Sequence, residues 1–296
     1  MNDRRSVALD RVVDGHVHVW HPLDEGGEWL ERAVPSLQRE HTIEEFRRAA
    51  SAVTVESVVL VEAAASLTTT AKLLGIAHEV APFAVVVGWL DAASATVDDD
   101  VAALRMLDGG DHLAGVRYSP PGAARAGWLE SDALSRSLEV FGRARLSFDL
   151  LLTSADLDAA ARLCRRHPSV SFVVDHLGGL PDESEGGVQA WRNGIAAIAA
   201  CENAVVKLSG RILRETRPDA AALVAHAIDV FGPHRMLFGS DWPISSTTDD
   251  YAARVGRAIE LAGPLSDAEL DAVFAGTAAR AYRAPSVAAA PAGSTA

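Results

Sequence analysis

Val12-Val13-Asp14-Gly15-His16-Val17-His18-Val19-Trp20 begins as an apolar β-forming run and ends in two histidines one residue apart. Side chains at i and i+2 of a strand share a face, so His16 and His18 point the same way. Two imidazoles on a covered strand face are costly unless they are paired or bound to a metal. The chain holds ten histidines, so the spacing alone carries little weight. Its significance comes from what recurs downstream.

Short β-rich runs bounded by turn signals occur eight times: Val12–Val19, Ser57–Ala63, Phe83–Trp89, Leu113–Ser119, Leu146–Leu152, Ser171–Leu177, Ala204–Ser209 and Met236–Ser240. Several are continuously apolar, as in Val58-Val59-Leu60-Val61 and Val85-Val86-Val87, the pattern of parallel strands covered on both faces. Helical spacing with start signals separates them. Thr42-Ile43-Glu44-Glu45 and Ser266-Asp267-Ala268-Glu269 have the form of capping boxes. Thr153 or Ser154 can cap a helix ending at Arg166, and Arg217-Pro218 opens one that Gly232-Pro233 closes. Eight such units predict a closed (β/α)8 TIM barrel; an open, doubly wound sheet is the competing architecture. Residues 1–283 read as one barrel domain, and the Ala/Pro/Ser/Gly tail Ala284–Ala296 reads as disordered.

Composition narrows the function classes. The net charge of −13 and the lack of any basic cluster beyond short pairs argue against nucleic acid as a partner. No stretch approaches the length of a membrane span, and the first residues lack a signal peptide's apolar segment, so a cytoplasmic enzyme is expected. The two cysteines, Cys164 and Cys201, read as small buried apolar residues. The long segment Trp20–His41 after the first strand is a candidate lid.

Barrel enzymes keep their chemistry at the C-terminal ends of the strands. His16 and His18 end the first strand; Val174-Asp175-His176 ends the sixth; Gly239-Ser240-Asp241-Trp242 ends the eighth, which lies beside the first once the barrel closes. Three histidines and a carboxylate thus converge on one rim. Arg117, at the end of the fourth strand, is a candidate grip for a carboxylate or hydroxyl, or else a rim salt bridge. Trp20, Trp89 and Trp242 could wall a ring or simply pack. Lys207 lies mid-strand and reads as either a buried partner of an acid such as Asp149 or a site residue, with the structural role favoured.

At this point the chain resembles the amidohydrolase superfamily, in its lactonase-like branch of sugar-acid and dicarboxylate or muconolactone lactonases. The resemblance is carried by Asp14–Trp20, Gly115-Val116-Arg117, Ser147–Leu151, Val174–Gly178, Lys207–Gly210 and Phe238–Pro243, one stretch per strand end. It implies a centre of His16, His18, His176 and Asp241 holding one zinc-like divalent ion, with substrate contacts from Arg117, Trp20 and Trp242. The fifth strand lacks the histidine of the decarboxylase branch, and the fourth carries Arg117-Tyr118 where two-metal relatives carry a bridging ligand. Gly179 stands where lactonase relatives often carry lysine.

The expected activity is hydrolysis of a small-molecule lactone, with Asp241 as general base and His176 as its catalytic partner. The histidines either hold the ion that polarises the carbonyl or donate hydrogen bonds to the oxyanion directly. The competing readings are a decarboxylase of an aromatic or unsaturated acid, and a silent binding barrel.

Overall fold

The computed structural model describes residue 9 and residues 11–120, 122–214, 217–245 and 250–283; the tail expected to be disordered lies outside them. Eight strands form one sheet in sequence order: β1 Val12–Val17, β2 Val55–Val61, β3 Ala84–Gly88, β4 Leu113–Arg117, β5 Ser147–Leu150, β6 Phe172–Val174, β7 Ala204–Leu208 and β8 Met236–Phe238. Every paired neighbour runs parallel. The seam closes where His18 N donates to Trp242 O at 2.7 Å and Asp241 N donates to His16 O at 2.8 Å. The architecture is a (β/α)8 TIM barrel. The open-sheet alternative falls.

Alternation along the strands builds two cores. Val59 and Val61 of β2 join Val13, Val85, Val87, Val173 and Leu237 inside the barrel. Val58 and Leu60 face the other way, into the layer of helices with Leu73, Leu74 and Phe46. This is why the strands read as continuous apolar runs: neither face sees water.

The helix start signals hold in part. Ser266 and Glu269 form a reciprocal capping box, and so do Thr153 and Asp156. Thr42 caps its helix by accepting from Glu45 N, but the Glu45 carboxylate turns to Arg39 at 2.8 Å, so the expected box is one-sided. The observed strands also stop short of the expected C-terminal ends. β6 ends at Val174, and Asp175–Gly178 form a tight turn with His176 at φ +52° and Leu177 at +56°. Leu177 is apolar because it is buried beneath the rim, not because it continues the strand.

The segment Trp20–His41 is pinned to the rim. Trp20 and His41 exchange two backbone hydrogen bonds, and Trp20, Leu30 and Leu37 form a small cluster that also touches Ala63 and Ile244. Cys164 and Cys201 are both free thiols and buried. No helix among the described residues is long and apolar enough to cross a membrane.

Candidate active site

The C-terminal rim carries a cavity of about 430 Å³ whose lining includes His18, Arg117, His176 and Asp241. Leu151, Leu152, Leu180 and Ile244 give it an aliphatic wall, and Arg211 reaches it from beyond β7.

His16 of β1 and His18, one residue past its end, turn to the same side: His16 Nε2 and His18 Nε2 stand 3.0 Å apart. His18 Nδ1 lies 2.8 Å from Val61 O, which can only accept, so Nδ1 carries the proton and Nε2 keeps its lone pair. Asp241 Oδ1 lies 3.5 Å from His18 Nε2 and 3.7 Å from His16 Nε2. These three residues form one potential metal cluster. His176 belongs to a second grouping with His16 and Asp175, so the four expected ligands do not converge on a single point.

Below the histidines lies a buried ion cluster. Lys207 Nζ reaches Asp149 at 2.7 Å, Asp175 at 2.8 Å and His16 Nδ1 at 3.1 Å. Tyr282 OH donates to Asp149 at 2.6 Å from beneath. The expected Lys207–Asp149 pair is therefore present, with Asp175 added to it. Asp175 Oδ1 has no well-angled hydrogen-bond partner and lies 3.5 Å from His16 Nδ1. Lys207 Nζ, which can only donate, stands 3.1 Å from the same nitrogen. A carboxylate behind a ligating imidazole is the usual support of a metal-bound histidine. Around the cluster, Glu62, Asp149, Asp175 and Asp241 face Lys207 and Arg117, an excess of carboxylates that a cation would offset. The donor set fits one such ion.

The surroundings disfavour the charged form of His16 and His176 and favour that of Asp241. Burial lowers the pKa of both His16 and His176, and for His16 the Lys207 ammonium adds to the effect. Burial opposes ionisation of Asp241, but His176, His18 and His16 outweigh it and hold the carboxyl well below its usual range. Asp14, wholly buried behind β1, is pushed up to about 6 by desolvation, although it accepts from the N–H groups of His16 and Ser240 and from Tyr251 OH.

Two local features set His176. Its Nδ1 lies 2.8 Å from Ser209 Oγ. Gly210, at φ +72°, leaves the space it needs, since a Cβ there would stand 2.6 Å from His176 Nδ1.

Arg117 is more committed than its strand-end position suggests. Its Nε donates to Glu62 Oε1 at 2.7 Å, NH2 to Glu62 O at 2.6 Å and NH1 to Asp175 at 3.2 Å. Burial opposes its charge, and Glu62 and Asp175 more than offset that. The tryptophans expected at the substrate do not line this cavity. Trp20 borders a separate cavity of about 410 Å³ with His41 and Lys72. Trp242 packs edge-on against His41 and Phe46 at 5.5 and 5.6 Å between ring centroids. The residue after Asp241 is turned outward because Asp241 itself is left-handed, at φ +57°. Strand β5 presents no histidine to the rim, and its Asp149 is buried in the ion cluster.

The family model described as amidohydrolase matches residues 13–284. An L-fucono-1,5-lactonase of Burkholderia multivorans is 30% identical over 290 residues, covering 92% of this chain and 96% of that one. Among solved structures, an amidohydrolase from Burkholderia multivorans with bound zinc superposes with a TM-score of 0.83 at 28% identity, over 93% of this chain and 99% of that one. A putative 2-pyrone-4,6-dicarboxylic acid hydrolase from Pseudomonas putida shares the fold, at a TM-score of 0.71 and 19% identity over 92% and 97% of the chains. The extent of the family match and the rim histidines together place this chain in the amidohydrolase family.

Proposed function

We propose that this barrel is a lactonase that opens a small lactone ring by water attack. The observation that carries the reading is the joint presence of His18, His176 and Asp241 on the wall of one rim cavity, with His16 directly behind. The lactonase and zinc-bound relatives support it.

Asp241 Oδ1 takes a proton from water beside the lactone carbonyl and returns it to the departing ring oxygen. His176, neutral and braced by Ser209, donates to the oxyanion. His16, His18 and Asp241 would hold a single divalent ion, zinc by analogy with the relative. When bound, that ion supplies Lewis-acid polarisation of the carbonyl. The aliphatic wall excludes bulk water from the developing charge.

The test is a panel of lactones and esters screened for acid release with and without added Zn²⁺ or Mn²⁺. Turnover of a lactone supports the reading. Silence across the panel returns the chain to a binding role.

Arg211, on the cavity wall beyond β7, meets an anionic substituent on the substrate. Arg211→Gln is expected to raise KM roughly tenfold for carboxylated lactones, leaving kcat and neutral lactones little changed. Arg117→Ala should impair both kinds alike by unbalancing the buried acids. Steady-state kinetics on one carboxylated and one neutral lactone separate the two roles. Equal effects of Arg211→Gln on both substrates would remove the anionic grip.

A further inference from the structure

We propose that Ser245 is a positioning residue that aims the Asp241 carboxylate, fixing which oxygen does the chemistry. The proposal rests on the reading of Asp241 as the reacting carboxylate.

Ser245 is buried, and its Oγ lies 2.6 Å from Asp241 Oδ2. An ionised carboxylate can only accept, so the serine hydroxyl must donate. That bond draws electron density from Oδ2 and leaves Oδ1, on the histidine side at 3.5 Å from His18 Nε2, as the more basic oxygen. The serine is itself fixed. Its backbone N–H donates to Asp241 O at 2.9 Å, closing a turn around the aspartate. Its carbonyl accepts from Arg254 NH2, and Arg254 NH1 donates to Ser240 O at 3.1 Å. The helix Tyr251–Ala262, which carries Arg254, thus grips both sides of the turn.

A carboxylate without this restraint can rotate about its Cβ–Cγ bond, and the left-handed backbone at Asp241 gives no compensating hold on the side chain. Misplacing a reacting group by about 1 Å can cost a hundredfold in rate, so one buried hydroxyl has leverage well beyond its contribution to folding.

The experiment compares wild type, Ser245→Ala and Ser245→Thr in three measurements. These are zinc affinity by competition with a chromophoric chelator, kcat and KM on a lactone, and a crystal structure of the metal-free Ala variant. Losing a group that orients a metal ligand typically costs about 10–100-fold, and that weakening of zinc binding is expected for Ser245→Ala. A comparable fall in kcat should accompany it, with KM within about twofold. Ser245→Thr keeps the hydroxyl and should restore both. In the crystal, Asp241 of the Ala variant should leave its orientation toward His18. Ser245→Ala with wild-type zinc affinity, wild-type kcat and an unmoved Asp241 would overturn the proposal, and so would a loss of thermal stability alone. If the wild type neither binds zinc nor hydrolyses lactones, the functional reading fails by itself, and the orientation of Asp241 in the Ala variant still decides the role of Ser245.

Discussion

Asp241→Asn should cut lactone hydrolysis by at least about 10²-fold, the lower end for losing a positioned general base, while the barrel stays folded. Asparagine has nearly the same shape and is one of the few side chains that tolerates the left-handed backbone found at position 241. It can still accept from Ser245 through its amide oxygen. What it cannot do at neutral pH is take a proton from water. Because neighbouring imidazoles hold the Asp241 carboxyl ionised far into acid, the wild type should keep its base across the whole neutral range. Circular dichroism and a thermal midpoint establish folding, and single-turnover kinetics read the chemistry. Near-wild-type turnover by a folded Asn variant would mean that another group activates the water.

Lys207→Met should destabilise the fold by about 3–5 kcal/mol, the usual cost of removing one partner from a buried ion pair. Methionine approximates the length of the lysine stem, so little cavity opens. The loss is electrostatic: burial pushes Asp149 up to about 6 even with the ammonium 2.7 Å away, so without it Asp149 must take up a proton, and Asp175 loses a cation 2.8 Å away. Tyr282 gives Asp149 one hydrogen bond and Arg117 gives Asp175 another, but neither replaces the shared cation. For a chain of this size the thermal midpoint should fall by roughly 10 °C. Denaturant unfolding of the metal-free protein measures it without reference to activity. A change below about 1 kcal/mol would show that the acids take up protons at little cost and that the cluster is not a structural centre.

The barrel was legible because its strands are buried on both faces, which writes Val58–Val61 and Val85–Val87 as unbroken apolar runs. The ends were less so. Leu151, Leu152 and Leu177 extend the apolar runs of β5 and β6, yet they form cavity wall or buried turn beyond the last ladder bond. The gathering of His16, His18, His176 and Asp241 could be placed from strand position alone, since the barrel sends every strand end to one rim. Direction after the strand could not. Trp20 and Trp242 stand next to site residues in sequence but face His41, because the backbone turns between them and the cavity. Partners across neighbouring strands were equally hidden. Arg117 was visible as a strand-end cation, but its engagement by Glu62 depends on the pairing of β2, β3 and β4, which sequence spacing does not report. Ser245 gave no signal, as a serine in a polar turn has many ordinary reasons to be there.

The left-handed residues His176, Leu177 and Asp241 bear on how this enzyme could be engineered. Each holds a backbone conformation that costs a non-glycine residue about 1–2 kcal/mol, so a search guided by stability alone would be drawn to glycine at all three. At His176 and Asp241 that gain would remove the groups proposed to do the chemistry, and at Leu177 it would empty a buried site beneath them. Hardening of this barrel should therefore begin among the helices and at the opposite end of the strands, where relaxing the backbone leaves the chemistry alone.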